Sequence, residues 1–150
     1  MLNRYRDVFA SFHSNECRYV VLGGIAAILY GVQRTTFDVD ILIEPTEANA
    51  EKVIRALREA GLRTAYLITV DELPAHEITV FKDRVRVDVQ TSTPGLTPGL
   101  TFDNAWENRC ELSFGGPPFF VVSRDDPIRS KLAAARPIDL SDVKQLREKG

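Results

Sequence analysis

Cysteine is scarce in this chain. Cys17 and Cys110 are the only two among 150 residues, too few for a disulfide framework and in keeping with a reducing compartment. Histidine is equally sparse: His13 and His76 lie far apart with no metal-ligand spacing around them, so they read as ordinary surface or core residues. No apolar run reaches the length of a membrane span, and Met1 to Arg6 lacks the apolar segment of a signal peptide. The expected location is the cytoplasm, with no membrane partner. Charge of one sign is not in excess either. The formal charge is −2, which argues against a general nucleic-acid-binding surface. A local basic patch stays open, because fourteen of the nineteen cationic residues are Arg, the side chain suited to phosphate forks. Internal repeats and low-complexity tracts are absent, and apolar content of 44% is ordinary for a globule. The length suits one domain over residues 1–150 with a real core.

What the chain does have is a set of carboxylates in an apolar setting. Thr36-Phe37-Asp38-Val39-Asp40 leads into Ile41-Leu42-Ile43, and Val87-Asp88-Val89 follows some way downstream. In a strand, residues i and i+2 share a face. Asp38 and Asp40 then project together, while Val39, Ile41 and Ile43 face a core. Arg84, Arg86, Asp88 and Gln90 share one face of a second strand, and Val85, Val87 and Val89 share the other. If the two strands are neighbours, three acids converge. Clustered carboxylates raise each other's pKa unless a cation neutralises them. Hard oxygen ligands of this kind suit Mg²⁺ together with substrate phosphates, the layout of two-metal phosphoryl or nucleotidyl transfer.

Upstream, Arg18 to Leu22 reads as a short buried strand, Gly23-Gly24 follows, and Ile25 to Tyr30 reads as a short helix. A strand, a glycine pair and a helix start can form a phosphate site: the glycines admit close backbone approach, and the helix N-terminus offers N–H groups to an anion. There is no Gly-Lys-Ser/Thr sequence for a Walker loop and no dinucleotide glycine spacing.

The remaining pattern alternates helices and strands. Leu2 to Ser14 suits an amphipathic helix, with Leu2, Tyr5, Val8, Phe9 and Phe12 at helical spacing. Thr46 is placed to N-cap a helix with the stripe Ala50, Val53, Ile54 and Leu57, closed by Gly61. Leu62 to Ile68 is expected as a strand. Ile78 to Phe81 and Val85 to Gln90 flank a short turn and form a hairpin. Thr93 to Gly99 is a loop, Phe102 to Trp106 a helical turn, and Cys110 to Phe114 and Phe119 to Val122 short strands. Ser123 to Asp126 with Pro127 starts a helix running to about Ala135, and Ser141 to Lys149 forms a last one. The result is an α/β (α+β) domain, a mixed sheet with helices packed on it.

Leu22-Gly23-Gly24, Asp38-Val39-Asp40 and Val87-Asp88-Val89 together resemble the three motifs of the nucleotidyltransferase superfamily that includes DNA polymerase beta. The run Gly23-Gly24, Gly31, Arg34-Thr35-Thr36, Asp38-Val39-Asp40 is most similar to the small prokaryotic members, the minimal nucleotidyltransferases and the abortive-infection type E proteins. So is the tail, with Ile128-Arg129-Ser130-Lys131-Leu132, Arg136-Pro137, Asp139-Leu140 and Asp142-Val143. The resemblance implies transfer of a nucleoside monophosphate from an NTP, with two Mg²⁺ ions on Asp38, Asp40 and Asp88. It implies contacts to the triphosphate from Gly23, Gly24, Arg34, Thr36 and Lys131. The acceptor would be an RNA or tRNA end or a partner protein, as in a toxin–antitoxin or phage-defence pair, and the chain could work as a homodimer or beside a helical partner.

Each residue also has an ordinary reading. Asp38 and Asp40 could cap a turn. Asp88 could pair with Arg86 or Arg84 across a wet face. Gly23 and Gly24 could serve close packing alone. Arg34 could be a surface charge, Thr36 a strand residue and Lys131 a solvated helix position. Asp139 and Asp142 suit the start of the last helix. Trp106 and the Phe119-Phe120 pair suit the core better than a base-stacking platform. A second function class follows: a catalytically silent module of the same fold that serves as an antitoxin or partner subunit.

Overall fold

The computed structural model describes residues 5–31, 38–92, 101–113 and 116–123. These form a single α+β domain around a six-stranded mixed sheet of order β3-β4-β2-β1-β6-β5. The strands are β1 (Tyr19–Leu22), β2 (Asp38–Ile43), β3 (Ile78–Lys82), β4 (Arg86–Gln90), β5 (Cys110–Leu112) and β6 (Phe119–Val121). The helices are α1 (Arg6–Ser14), α2 (Gly23–Leu29), α3 (Glu47–Glu59), α4 (Glu72–Ala75) and α5 (Phe102–Glu107). No described helix is long and apolar enough to cross a membrane.

The two central strands carry the most apolar runs. β1 is antiparallel to β2, with Leu22 facing Asp40, and β2 is parallel to β4, with Asp40 facing Asp88. β3 and β4 form the expected hairpin, in the register Val80 opposite Asp88. Val39, Ile41, Ile43, Val87 and Val89 are buried, as the alternation requires.

α3 begins and ends on the residues the sequence assigns. Thr46 Oγ1 accepts from the Asn49 N–H at 3.2 Å, and Glu47 lies in the positive first turn. At the far end Gly61 takes φ +88°. Its N–H donates to Arg58 O at 3.0 Å and Leu62 N–H to Leu57 O at 3.0 Å, the paired bonds of a Schellman stop. The Ala50, Val53, Ile54 and Leu57 stripe is buried and α3 packs against α1. α1 in turn stacks Phe9 on Phe119 of β6, ring centroids 4.6 Å apart, so the Phe119 ring belongs to the core.

A buried side chain fixes the β1–β2 pair. Asn49 is 2% exposed. Its Oδ1 accepts from Arg18 N–H at 2.8 Å, and its Nδ2 donates to Arg18 O at 2.9 Å and Glu44 O at 3.0 Å. All three bonds tie the start of β1 to the residue that follows β2, which holds the register that places Leu22 beside Asp40.

The structure departs from the sequence reading in two places. The stretch expected as a strand over Leu62 to Ile68 holds a 3-10 turn at Arg63–Tyr66. Only Leu62 and Ala65 are buried there, a spacing of three that a 3-10 turn serves and a strand's spacing of two does not. α2 also begins at Gly23 rather than after the glycine pair, so both glycines belong to its first turn. The expected loop over Thr93 to Gly99 and the two C-terminal helices lie outside the described residues.

Candidate active site

β2 and β4 lie side by side, so the shared-face argument converges three acids at one point. Oxygens of Asp38, Asp40 and Asp88 all lie within 4.8 Å of one another. Among the described residues this is the one cluster of His, Cys, Asp and Glu able to hold a metal ion. Asp38 is the first residue of β2, on the same face as Asp40.

The electrostatics of the cluster are unbalanced. Asp40 is pushed up from 3.8 to about 7. Burial is the largest cause, followed by the charges of Asp38 and Asp88; a hydrogen bond from Gln90 and the charge of Arg86 oppose it. The Gln90 bond is long, Nε2 to Asp40 Oδ1 at 3.4 Å. Asp88 is 7% exposed and is met by a two-pronged partner on its own strand. Arg86 Nε donates to Asp88 Oδ1 at 2.9 Å, and Arg86 Nη2 donates to Oδ2 at 3.1 Å. The pairing that served as the ordinary reading of Asp88 is therefore present, and so is the triad. The two coexist because Arg86 and Asp88 are i and i+2 on one face while Asp40 faces Asp88 across the ladder.

The glycine pair completes the corner. Gly23 takes φ +70°, and a Cβ there would overlap Asp40 Oδ2 and stand 3.0 Å from its Cγ. Any side chain at this position would push the Asp40 carboxylate away, so close packing is one reason for Gly23, at the very residue the site needs. No side chain caps the start of α2, and α2 packs against both β1 and β2. Tyr30, just past its end, donates from Oη to Val122 O at 2.6 Å and anchors α2 to the strand beyond.

Around the triad the sheet face changes character. Val80 and Ile78 of β3 lie opposite Asp88 and Gln90 and are about half exposed, 46% and 47%. On the β1 side α5 packs against the strand. There Trp106 is flanked by Arg18 and Arg109, whose guanidinium carbons lie 4.8 and 3.8 Å from its ring centroid. Two arginines already occupy the Trp106 ring, which supports its reading as packing. Cys17 is buried and its thiol is pushed up to about 12 by desolvation, so it has no nucleophilic character.

Of the residues singled out by sequence, Gly23, Asp38, Asp40 and Asp88 come together here, and Gly24 is the next residue of α2. Arg34, Thr36 and Lys131 lie outside the described residues. Sequence reasoning did not single out Gln90 as a contact of Asp40; the signal was its place on the Asp88 face, opposite the residue that follows Asp40 by two.

The donors of the cluster are all hard carboxylate oxygens, and the charges of Asp38 and Asp88 press on Asp40. That set fits a divalent cation of the Mg²⁺ class better than a soft metal. A comparison with curated proteins finds no match. A family model described as "nucleotidyltransferase of unknown function (DUF6036)" matches residues 6–147, nearly the whole chain and every element above. The chain belongs to this nucleotidyltransferase family.

Proposed function

We propose that this protein is a Mg²⁺-dependent enzyme that moves a nucleoside monophosphate from an NTP to an acceptor hydroxyl on an RNA or tRNA end or on a partner protein. The observation that carries the reading is the meeting of Asp38, Asp40 and Asp88 within 4.8 Å beside a glycine whose bare backbone abuts Asp40. Family membership supports transfer chemistry in general. The acceptor, the toxin–antitoxin or phage-defence setting, the likeness to the minimal and abortive-infection types, the cytoplasmic location and a homodimer or helical partner all belong to the proposal.

In this reading Asp38, Asp40 and Asp88 would hold two Mg²⁺ ions, Asp38 and Asp40 on the triphosphate side and all three on the acceptor side. Bound there, the ions neutralise the triphosphate and make the acceptor hydroxyl more acidic. The chain's own groups do the rest. Gly23 and Gly24 admit the triphosphate close to the backbone at the start of α2. Arg34, Thr36 and Lys131 are assigned by the resemblance to the same phosphates. In the same reading Asp88 would take the proton of the attacking hydroxyl as its oxygen bonds to the α-phosphorus and pyrophosphate departs. Asp40, raised to about 7, returns to the ionised form when a cation binds, because positive charge reverses the cause of its shift.

The test is transfer of label from each α-labelled NTP into a cell extract with Mg²⁺, beside an Asp38→Ala/Asp40→Ala double variant. Label entering RNA or a protein band with the natural chain, reduced at least about a thousandfold in the variant, is the expected result. No transfer of any nucleotide, from folded protein that binds Mg²⁺-NTP, would overturn it in favour of a silent partner module.

A further inference from the structure

Arg86 takes up both oxygens of Asp88 in a fork of 2.9 and 3.1 Å. The two ends of that fork are unequal. The Asp88 side chain is 10% exposed, whereas that of Arg86 is 45% exposed. The acid is fixed in the sheet, and the guanidinium reaches it from the solvent side. We propose that Arg86 and a divalent cation compete for Asp88, so that Arg86 limits the site to one tightly held ion until the phosphates of a nucleotide draw the guanidinium away. The inference rests on the metal-binding reading of the triad given above and adds an order of loading to it.

The shared ligand gives the reason. In the reading above one ion rests on Asp38 and Asp40, and the other needs Asp88 as well. A second ion must share Asp88 with a cation already forked onto it. Two like charges at ligand distance in a partly buried site oppose each other strongly. A triphosphate changes the balance twice: it brings negative charge for the second ion, and it offers the planar guanidinium another bidentate oxygen pair. The swing requires no backbone movement, because Arg86 lies on the same strand face as Asp88. Lys82 faces Arg86 across the hairpin, so a second cation stands beside the route without touching Asp88. Arg86 is a positioning residue in this scheme, acting through Asp88.

The probe is Mn²⁺, followed by the loss of its free-ion paramagnetic signal, with the full chain at pH 8 and no nucleotide. The natural protein is expected to hold one ion. Arg86→Gln is expected to bind Mn²⁺ about tenfold more tightly and to take up a second ion, since the competitor is gone. Arg86→Lys keeps the charge but loses the fork and should fall between. With a non-hydrolysable NTP analogue added, the three proteins should converge. A merely structural role for Arg86 predicts the opposite, because a damaged site binds more weakly. If Arg86→Gln fails to fold, the gain in Arg86→Lys alone carries the test. Equal or weaker Mn²⁺ binding in the folded variants overturns the inference and leaves the metal reading intact. Absence of Mn²⁺ binding in all three proteins overturns both.

Discussion

At one end of the β1–β2 ladder the Asn49 side chain answers three backbone groups of Arg18 and Glu44. At the other end, four residues along the same strand, Asp40 faces Asp88 and crowds Asp38. Both ends bury polar atoms in an apolar sheet. At the Asn49 end the amide oxygen and the amide hydrogens all meet backbone partners. At the aspartate end acceptors face acceptors, and among the described residues Arg86 forks onto Asp88. The first arrangement holds the fold; the second stores an electrostatic debt that protonation of Asp40 or an added cation relieves. The difference separates a polar cluster closed by its own bonds from one whose like charges repel.

Substitutions at the two ends should therefore move stability in opposite directions. Asn49→Leu keeps the volume, strands the Arg18 N–H and takes one of two donors from each of the Arg18 and Glu44 carbonyls, which keep the Glu44 and Thr46 N–H groups. A loss of about 2 kcal/mol is expected in urea unfolding, with the midpoint moving and the slope unchanged. A loss below about 1 kcal/mol would mean that water replaces the amide and that the Asn49 end is no tighter than the triad end.

Gly23→Ala tests the join between the ends. The alanine must adopt φ +70° and also displace the Asp40 carboxylate. The first costs about 1–2 kcal/mol and the overlap adds a comparable amount, so a loss of about 3 kcal/mol is expected, with weaker Mn²⁺ binding. Preserved Mn²⁺ affinity in a destabilised variant would show that Asp40 can yield without harm to the site, and that the bare backbone serves packing only.

What could be read in advance followed from local periodicity. Asp38, Asp40 and Asp88 were legible because a strand's alternation is strict and an acid on an apolar strand stands out. The α3 stop at Gly61 was legible for the same kind of reason, since one residue type tolerates its φ. The Leu62 to Ile68 stretch misled because its apolar content suits a strand, while the core calls on Leu62 and Ala65 alone. That choice is made by α3, against which the turn packs, and no local pattern reports it. The overlap of Gly23 with Asp40 was hidden for a similar reason. It depends on the antiparallel register of β1 against β2, which Asn49 fixes from the far end. The contest over Asp88 lay between two readings that sequence treats as rivals and that the ladder satisfies together.

Asp40→Asn asks whether the strain at the aspartate end is electrostatic at all. Asp40 in the folded protein titrates near 7, well above its ordinary 3.8, so the fold binds this proton more tightly than the unfolded chain does. The contribution to stability is present in full below about pH 4 and is lost as pH rises through 7. The shift corresponds to about 4 kcal/mol at its limit, and partial hydration of the carboxylate brings the expectation to about 2 kcal/mol. Asn carries no charge at any of these values and resembles the protonated acid in shape. Without metal, the variant should match the natural protein at pH 4 and exceed it by about 2 kcal/mol at pH 8, measured as a difference so that other titrating groups cancel. Mg²⁺ at pH 8 should stabilise the natural protein and leave the variant almost unmoved, because the cation and the substitution relieve the same repulsion. A variant less stable at pH 8 than the natural chain would mean that Asp40 is held by partners as Asn49 is, and the contrast between the two ends of the ladder would disappear.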